Sequence, residues 1–232
     1  AGTSTPAPAE PDGTTVSSNL EAQATDTPVA GEPEPTEAPA EPDPTTGPPS
    51  GGEVTVEALW FAQDASGPFG GTSSVGIEIE RASQPGELRV GFFEEEVAGT
   101  GDMWHAAGWT AVTFASMVLG LDPAEYEFAF SVGGRIDGPS AGGLMTVGVL
   151  AALLGDPVRE DAAMTGTINP DGTIGPVGGI PQKIQGAAAR GKTLVLVPAG
   201  SRRSVDYATG ELVDVVDVGN QLGVEVVAAA TL

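Results

Sequence analysis

The sequence predicts an α+β fold, a single mixed α/β domain preceded by a disordered Pro-rich tail, and three observations carry that prediction. An apolar share of 40% in 232 residues is enough for one core once a polar tail is set aside. Stretches of period-two apolar alternation are interspersed with stretches of helical spacing. More than half of the 20 prolines fall in residues 1–50, which hold no aromatic residue, no Lys and no Arg. That composition buries too little apolar surface to offset backbone ordering. Residues 1–52 are therefore read as a disordered linker of polyproline character, either an inert spacer or a stalk, and 53–232 as the domain.

Order is expected to begin at Glu53, where V-T-V-E-A-L-W-F opens a β-rich stretch. Residues 64–72 read as a Gly-rich turn, 75–80 as a half-buried strand and 87–93 as a third strand, together an antiparallel sheet. Apolar residues at Trp104, Ala107, Ala111, Phe114, Val118 and Leu119 predict a helix that stops at Gly120. A strand follows over 127–132. A second helix, apolar nearly all round, is expected from Ser140 to Leu154, with Pro139 at its edge. Beyond it come a strand over 164–168, a tight turn at Asn169-Pro-Asp-Gly172, and a helix from Pro181 to Arg190. A buried strand at 193–197 and strands at 212–218 and 224–229 complete the chain.

A formal net charge of −23, from 32 acidic against 9 basic residues, repels nucleic acid and anionic membranes and argues against either as a partner. The acid excess fits a high-salt organism, an extracytoplasmic location or compositional drift. With no cysteine and one histidine, disulfides and thiolate sites are excluded and a zinc site is disfavoured, so no cofactor or metal is expected. No apolar stretch reaches the ~20 residues of a membrane span. The chain opens at Ala1 without a methionine, which suggests a processed or trimmed product; the expected location is extracytoplasmic, or tethered through a removed N-terminal segment.

Two motifs fail on context. Gly186-Ala-Ala-Ala-Arg-Gly191-Lys192-Thr193 matches the letters of a phosphate-binding loop, but a helix precedes it and a strand comes after, the reverse of the order that turns helix N–H groups to phosphate. Lys192 then reads as a cation at a helix C-terminus. Gly138-Pro-Ser140-Ala-Gly142 matches a hydrolase nucleophile elbow, which needs a histidine further along the chain. The one histidine, His105, lies upstream in a helical run and reads as a packing or surface residue.

What survives is a serine with a lysine. A serine hydroxyl needs a base to become a nucleophile, and a neutral lysine can serve if desolvation depresses its pKa by about 2–3 units. Lys183 sits among Val177, Ile180 and Ile184, and Ser140 opens a helix whose free N–H groups could receive an oxyanion. Local chemistry leaves a second reading open, in which Ser140 is a helix-cap residue and Lys183 a solvated helix charge.

D-G-P-S-A-G at 137–142, P-V-R at 157–159, A-M-T-G at 163–166 and P-V-G-G-I-P-Q-K-I at 176–184 resemble, in order and spacing, blocks of the proteolytic domain of Lon proteases. The resemblance extends over about 54–229 and is strongest in 137–198. It implies Ser140 as nucleophile, Lys183 as general base, Thr165 as the hydroxyl that orients the lysine, and Asp137 beside the site. The chain departs from the family pattern at Thr167, where Glu is usual, in 128–131, where a histidine is common, and near Leu232, before a terminal helix would be complete. The implied function is an ATP-independent serine endopeptidase acting on flexible or unfolded polypeptides. A homo-oligomer and an unseen substrate-presenting partner are compatible with it. The alternative is a catalytically inactive Lon-like fold that serves as a protein-interaction module.

Overall fold

A computed structural model gives the structure of the chain and describes residues 49–94, 99–134 and 136–232. Most of the expected linker, residues 1–48, lies outside the described residues. Strand order begins two residues earlier than expected, because Gly51 already pairs with Glu80.

The elements, in chain order, are β1 (Gly51–Asp64), β2 (Gly67–Arg81), β3 (Arg89–Glu94), α1 (Asp102–Leu119), β4 (Tyr126–Val132), α2 (Gly142–Leu154), β5 (Ala162–Met164), β6 (Thr167–Ile168), β7 (Ile174–Gly175), α3 (Ile180–Ala189), β8 (Leu194–Pro198), β9 (Arg203–Val205), β10 (Leu212–Asp214), α4 (Val215–Leu222) and β11 (Glu225–Ala229). Seven strands form one sheet in the order β11-β8-β5-β1-β2-β4-β3, while β6–β7 and β9–β10 are separate two-stranded ribbons. The mixed α/β class expected from sequence is the one observed.

Strand alternation sends side chains to two apolar layers. Val56, Val75, Ile77, Ile79, Phe128 and Phe130 meet Trp104, Ala111, Met145 and Val149 of α1 and α2. Leu59, Val195 and Val197 point the other way, onto Ile180, Ile184 and Ala187 of α3 and Val215 of α4. The central position expected for α2 holds: ten of its thirteen residues are buried.

Four local expectations need correction. The sheet is mixed, since β3 pairs in parallel with β4; the intervening α1 is a crossover helix, and a strand–helix–strand crossover returns parallel. The stretch 64–72 is not one long turn. Asp64 pairs with Gly67 across Ala65 and Ser66, the Asp64 carboxylate accepts the Ser66 N–H at 2.7 Å, and residues from Gly67 onward are β2. The strand expected over 212–218 ends at Asp214, whose carboxylate caps α4 by accepting the Val216 N–H at 3.0 Å. Finally, 164–168 is two strands, interrupted at Thr165-Gly166.

The geometry of the functional cleft depends on how α3 seats on the β1–β2 hairpin. A Cβ on Gly70 would lie 2.0 Å from the Gln182 carbonyl oxygen, and one on Gly186 2.5 Å from the Gly71 nitrogen. Backbone meets backbone there, closer than any side chain permits. Behind α3 the run 186–193 indeed passes from helix to β8, the order that disqualifies a phosphate loop. Lys192 does more than face a helix end: its Nζ donates to the Glu160 carbonyl at 2.6 Å and lies 3.4 Å from Glu57 Oε2.

Candidate active site

Ser140 lies in a single 3₁₀ turn, Pro139–Ala141, immediately before α2, rather than in the first turn of the α-helix itself. Its carbonyl is held twice by the break between β5 and β6. The Gly166 N–H donates to it at 2.8 Å and the Thr165 hydroxyl at 3.2 Å, while the Gly143 N–H returns a bond to the Gly166 carbonyl at 3.1 Å. The interruption at Thr165-Gly166, where the sequence pattern predicts continuous strand, is thus what clamps the serine turn.

The same Thr165 hydroxyl accepts a hydrogen bond from Lys183 Nζ at 2.9 Å. A hydroxyl can accept from an amine and donate to a carbonyl at once, so Thr165 links the lysine head to the backbone of Ser140. Thr165 is fully buried and Lys183 is 3% exposed. Desolvation lowers the Lys183 pKa from 10.5 to about 8, with burial as its cause. That burial rules out the solvated-lysine reading. Ile180 and Ile184, on the same helix, are fully buried with it, as the sequence pattern implies.

Among the described residues, Ser140 Oγ makes no hydrogen bond, so Lys183 rests on Thr165 rather than on the serine hydroxyl. A neutral amine in that position keeps a lone pair beyond the bond it donates. The expected row of free helix N–H groups is mostly occupied: Gly142 N–H bonds to Pro139 and Gly143 N–H to Gly166. The Ser140 N–H itself is not engaged by the described residues.

Ser140, Lys183 and Asp137 line one cleft of about 470 Å³ together with Trp60, Phe61, Ala62, Phe69, Ile136 and Gly178. The Asp137 carboxylate accepts the Gly138 N–H at 2.6 Å and packs where Gly101 leaves no room for a Cβ. It borders the site and is engaged with its own loop. The aromatic wall is absent from the sequence-based expectation. Trp60 and Phe69 meet edge to face at 5.7 Å, and Trp60 Nε1 donates to Ser73 Oγ at 3.1 Å. Phe69 falls within the stretch whose glycines suggest a turn, and only the adjacent Trp60-Phe61 pair signals an aromatic cluster.

His105 is remote in role: its ring packs on Phe92 at 4.5 Å and its Nε2 lies 2.9 Å from Thr100 Oγ1. Thr167, at the position of the family's usual Glu, begins β6 and pairs with Gly175. Among the described residues no cluster of three or more His, Asp or Glu side chains could hold a metal, and no helix is long and apolar enough to cross a membrane.

Replacing Thr165 by valine is expected to lower stability by about 1–2 kcal/mol, because the Ser140 carbonyl loses a donor and Lys183 an acceptor. Losing an oxygen that favours the ammonium should also move the Lys183 titration below pH 8. Lys183 and Lys192 are the only lysines in the sequence, so isotope-labelled lysine NMR can follow each one separately.

Comparison with known proteins matches residues 133–230 to the Lon protease (S16) C-terminal proteolytic domain. Lon protease 2 of Sorangium cellulosum (strain So ce56) is 35% identical over 152 residues, 60% of this chain and 18% of that protein. Lon protease of Methylocella silvestris is 50% identical over 70 residues, 30% of this chain and 9% of that protein. Lon protease 2 of Bacillus subtilis (strain 168) is 34% identical over 89 residues, 38% and 16% of the two chains. The chain spans less than a fifth of the length of these relatives.

Proposed function

Residues 133–230 belong to the Lon proteolytic domain family, and from that premise we propose that the chain is a serine endopeptidase with a Ser140/Lys183 dyad. The observation that carries the reading is the position of Lys183: buried, titrating at about 8, and joined through Thr165 to the carbonyl of Ser140 in a shared cleft. A lysine at its ordinary 10.5 would be almost wholly protonated at neutral pH. At about 8, roughly a tenth is neutral near pH 7, a gain of roughly 300-fold in available base.

In the proposed reaction, the neutral Lys183 amine takes the Ser140 proton as Oγ attacks the scissile carbonyl. The oxyanion faces the Ser140 backbone N–H, a positively polarised end of the serine turn. The Lys183 ammonium then gives its proton to the departing amine, leaving an acyl group on Ser140. Water enters, loses a proton to Lys183, and releases the acid. Thr165 keeps the lysine in place through both halves, and Asp137 shapes the rim.

The substrates proposed are flexible or unfolded polypeptides, cut without ATP, since a cleft bounded by a hairpin and a serine loop admits an extended segment. The aromatic wall suits an apolar side chain on the acyl side of the bond, and the net charge of −23 disfavours strongly acidic segments.

A fluorophosphonate tests the reading. Mass added at Ser140, and not in Ser140→Ala, is the expected result. A folded protein that takes no label at Ser140 supports instead an inactive fold used for protein interaction.

A further inference from the structure

The β9–β10 ribbon lies beside the cleft without contributing a residue to its lining, yet two consecutive residues of its connection reach the two sides of the site. Asp206 Oδ1 accepts from Gln182 Nε2 at 2.6 Å. Gln182 is fully buried and directly precedes Lys183 on α3. The same Asp206 oxygen accepts the Ala208 N–H at 2.8 Å, which fixes the turn around Tyr207. Tyr207 stacks on Phe61 with ring centroids 5.0 Å apart and planes inclined by 27°.

Phe61 is the wall residue this stack controls. It also presses on Gly179, where a Cβ would lie 2.6 Å from Phe61 Cγ, and Gly179 adopts a φ of 68° that favours glycine. Gly178, also in the cleft lining, faces the Tyr207 hydroxyl: a Cβ there would stand 3.5 Å from it. Phe61 is thus held by contacts with both the start of α3 and Tyr207. Tyr207 itself is 49% exposed, so core packing does not explain an aromatic ring at this point.

We propose that Tyr207 is a specificity-positioning residue: anchored through Asp206 to Gln182, it holds Phe61 as a fixed wall of the cleft and so sets which acyl-side side chain fits. The inference rests on the peptidase reading and concerns selection, since Tyr207 touches neither Ser140 nor Lys183. An aromatic stack of this kind is worth about two- to twelvefold in an equilibrium or rate ratio.

The test uses two peptidyl phosphonate probes that react with an active serine and differ only in the acyl-side residue, phenylalanine or alanine. The measured quantity is the ratio of their labelling rates at Ser140. Tyr207→Ala is expected to lower the phenylalanine-to-alanine ratio about two- to twelvefold, the loss falling on the phenylalanine probe, with circular dichroism unchanged. Tyr207→Phe, which keeps the stack, should retain the wild-type ratio. Asp206→Asn keeps an acceptor for Gln182 and should retain it also, whereas Asp206→Ala should lower it. A Tyr207→Ala ratio within twofold of wild type, in a wild type that labels, overturns this inference alone. Wild type that labels with neither probe overturns the peptidase reading and this inference with it.

Discussion

Lys183→Met is expected to cost about 10²–10⁴-fold in hydrolysis and, at neutral pH, to make the folded chain more stable. The two effects share one cause. Lys183 titrates at about 8 in the folded chain against an ordinary 10.5, a difference produced by burial. Below pH 8 the folded and unfolded chains both carry the proton, and folding bears the full cost of burying the charge. Between pH 8 and 10.5 the folded chain has lost the proton and the unfolded chain has not, so the cost fades; above 10.5 it is gone. Methionine, close in shape and uncharged, should therefore gain on the order of 2–3 kcal/mol below pH 8, offset in part by the Thr165 bond, and gain progressively less toward pH 10.5. Denaturant unfolding of both chains across that range reads the effect directly. Equal stabilities below pH 8 would mean the lysine is not desolvated as described.

Gly70→Ala should be the most damaging change outside the proposed dyad. A methyl group there would stand 2.0 Å from the Gln182 carbonyl oxygen and 3.0 Å from the Lys183 backbone nitrogen, so α3 must move off the hairpin. A destabilisation of about 3 kcal/mol, lowering Tm by roughly 10 °C, is expected. Any folded fraction should lose activity as well, because the displaced helix is the one that carries Lys183 to Thr165. Gly200→Ala is the control, since nothing lies near a Cβ at that position and its φ is outside the positive range that favours glycine. A Gly70→Ala chain with wild-type melting and activity would show that α3 does not depend on this contact.

The chemistry of the site is legible because the sequence offers few alternatives. With no cysteine and one histidine, Ser140 and Lys183 are the natural pair, and apolar neighbours such as Ile180 and Ile184 already imply a desolvated amine. Thr165 enters through the family resemblance; the hydrogen bond its hydroxyl accepts from Lys183 and the one it donates to the Ser140 carbonyl depend on a strand break that no local pattern marks. The glycines of 67–72 read as a turn because glycine is common in turns. Here Gly70 serves instead to let α3 approach, a requirement imposed by a helix more than a hundred residues away in sequence, and Gly71 leaves room for the Trp60 ring.

The same distinction governs the fold. Elements set by local spacing, such as α1 and β4, lie within a residue or two of where the spacing puts them. The strand reading over 212–218 rests on its run of valines, which favour strands, and it fails beyond Asp214. Tertiary burial of Val215, the Asp214 cap and the left-handed Gly223 stop make its second part helical. The parallel pairing of β3 with β4 is a consequence of the α1 crossover, visible only when helix and strands are considered together.

The most direct test of Lys183 as the base is the pH dependence of Ser140 acylation by an activated peptidyl ester, followed as a single turnover. The expected rate rises with pH through an apparent pKa near 8, set by Lys183, and falls at least ~100-fold with no such rise in Lys183→Met. Acylation that proceeds equally fast in Lys183→Met, with the same pH profile, would contradict the assignment.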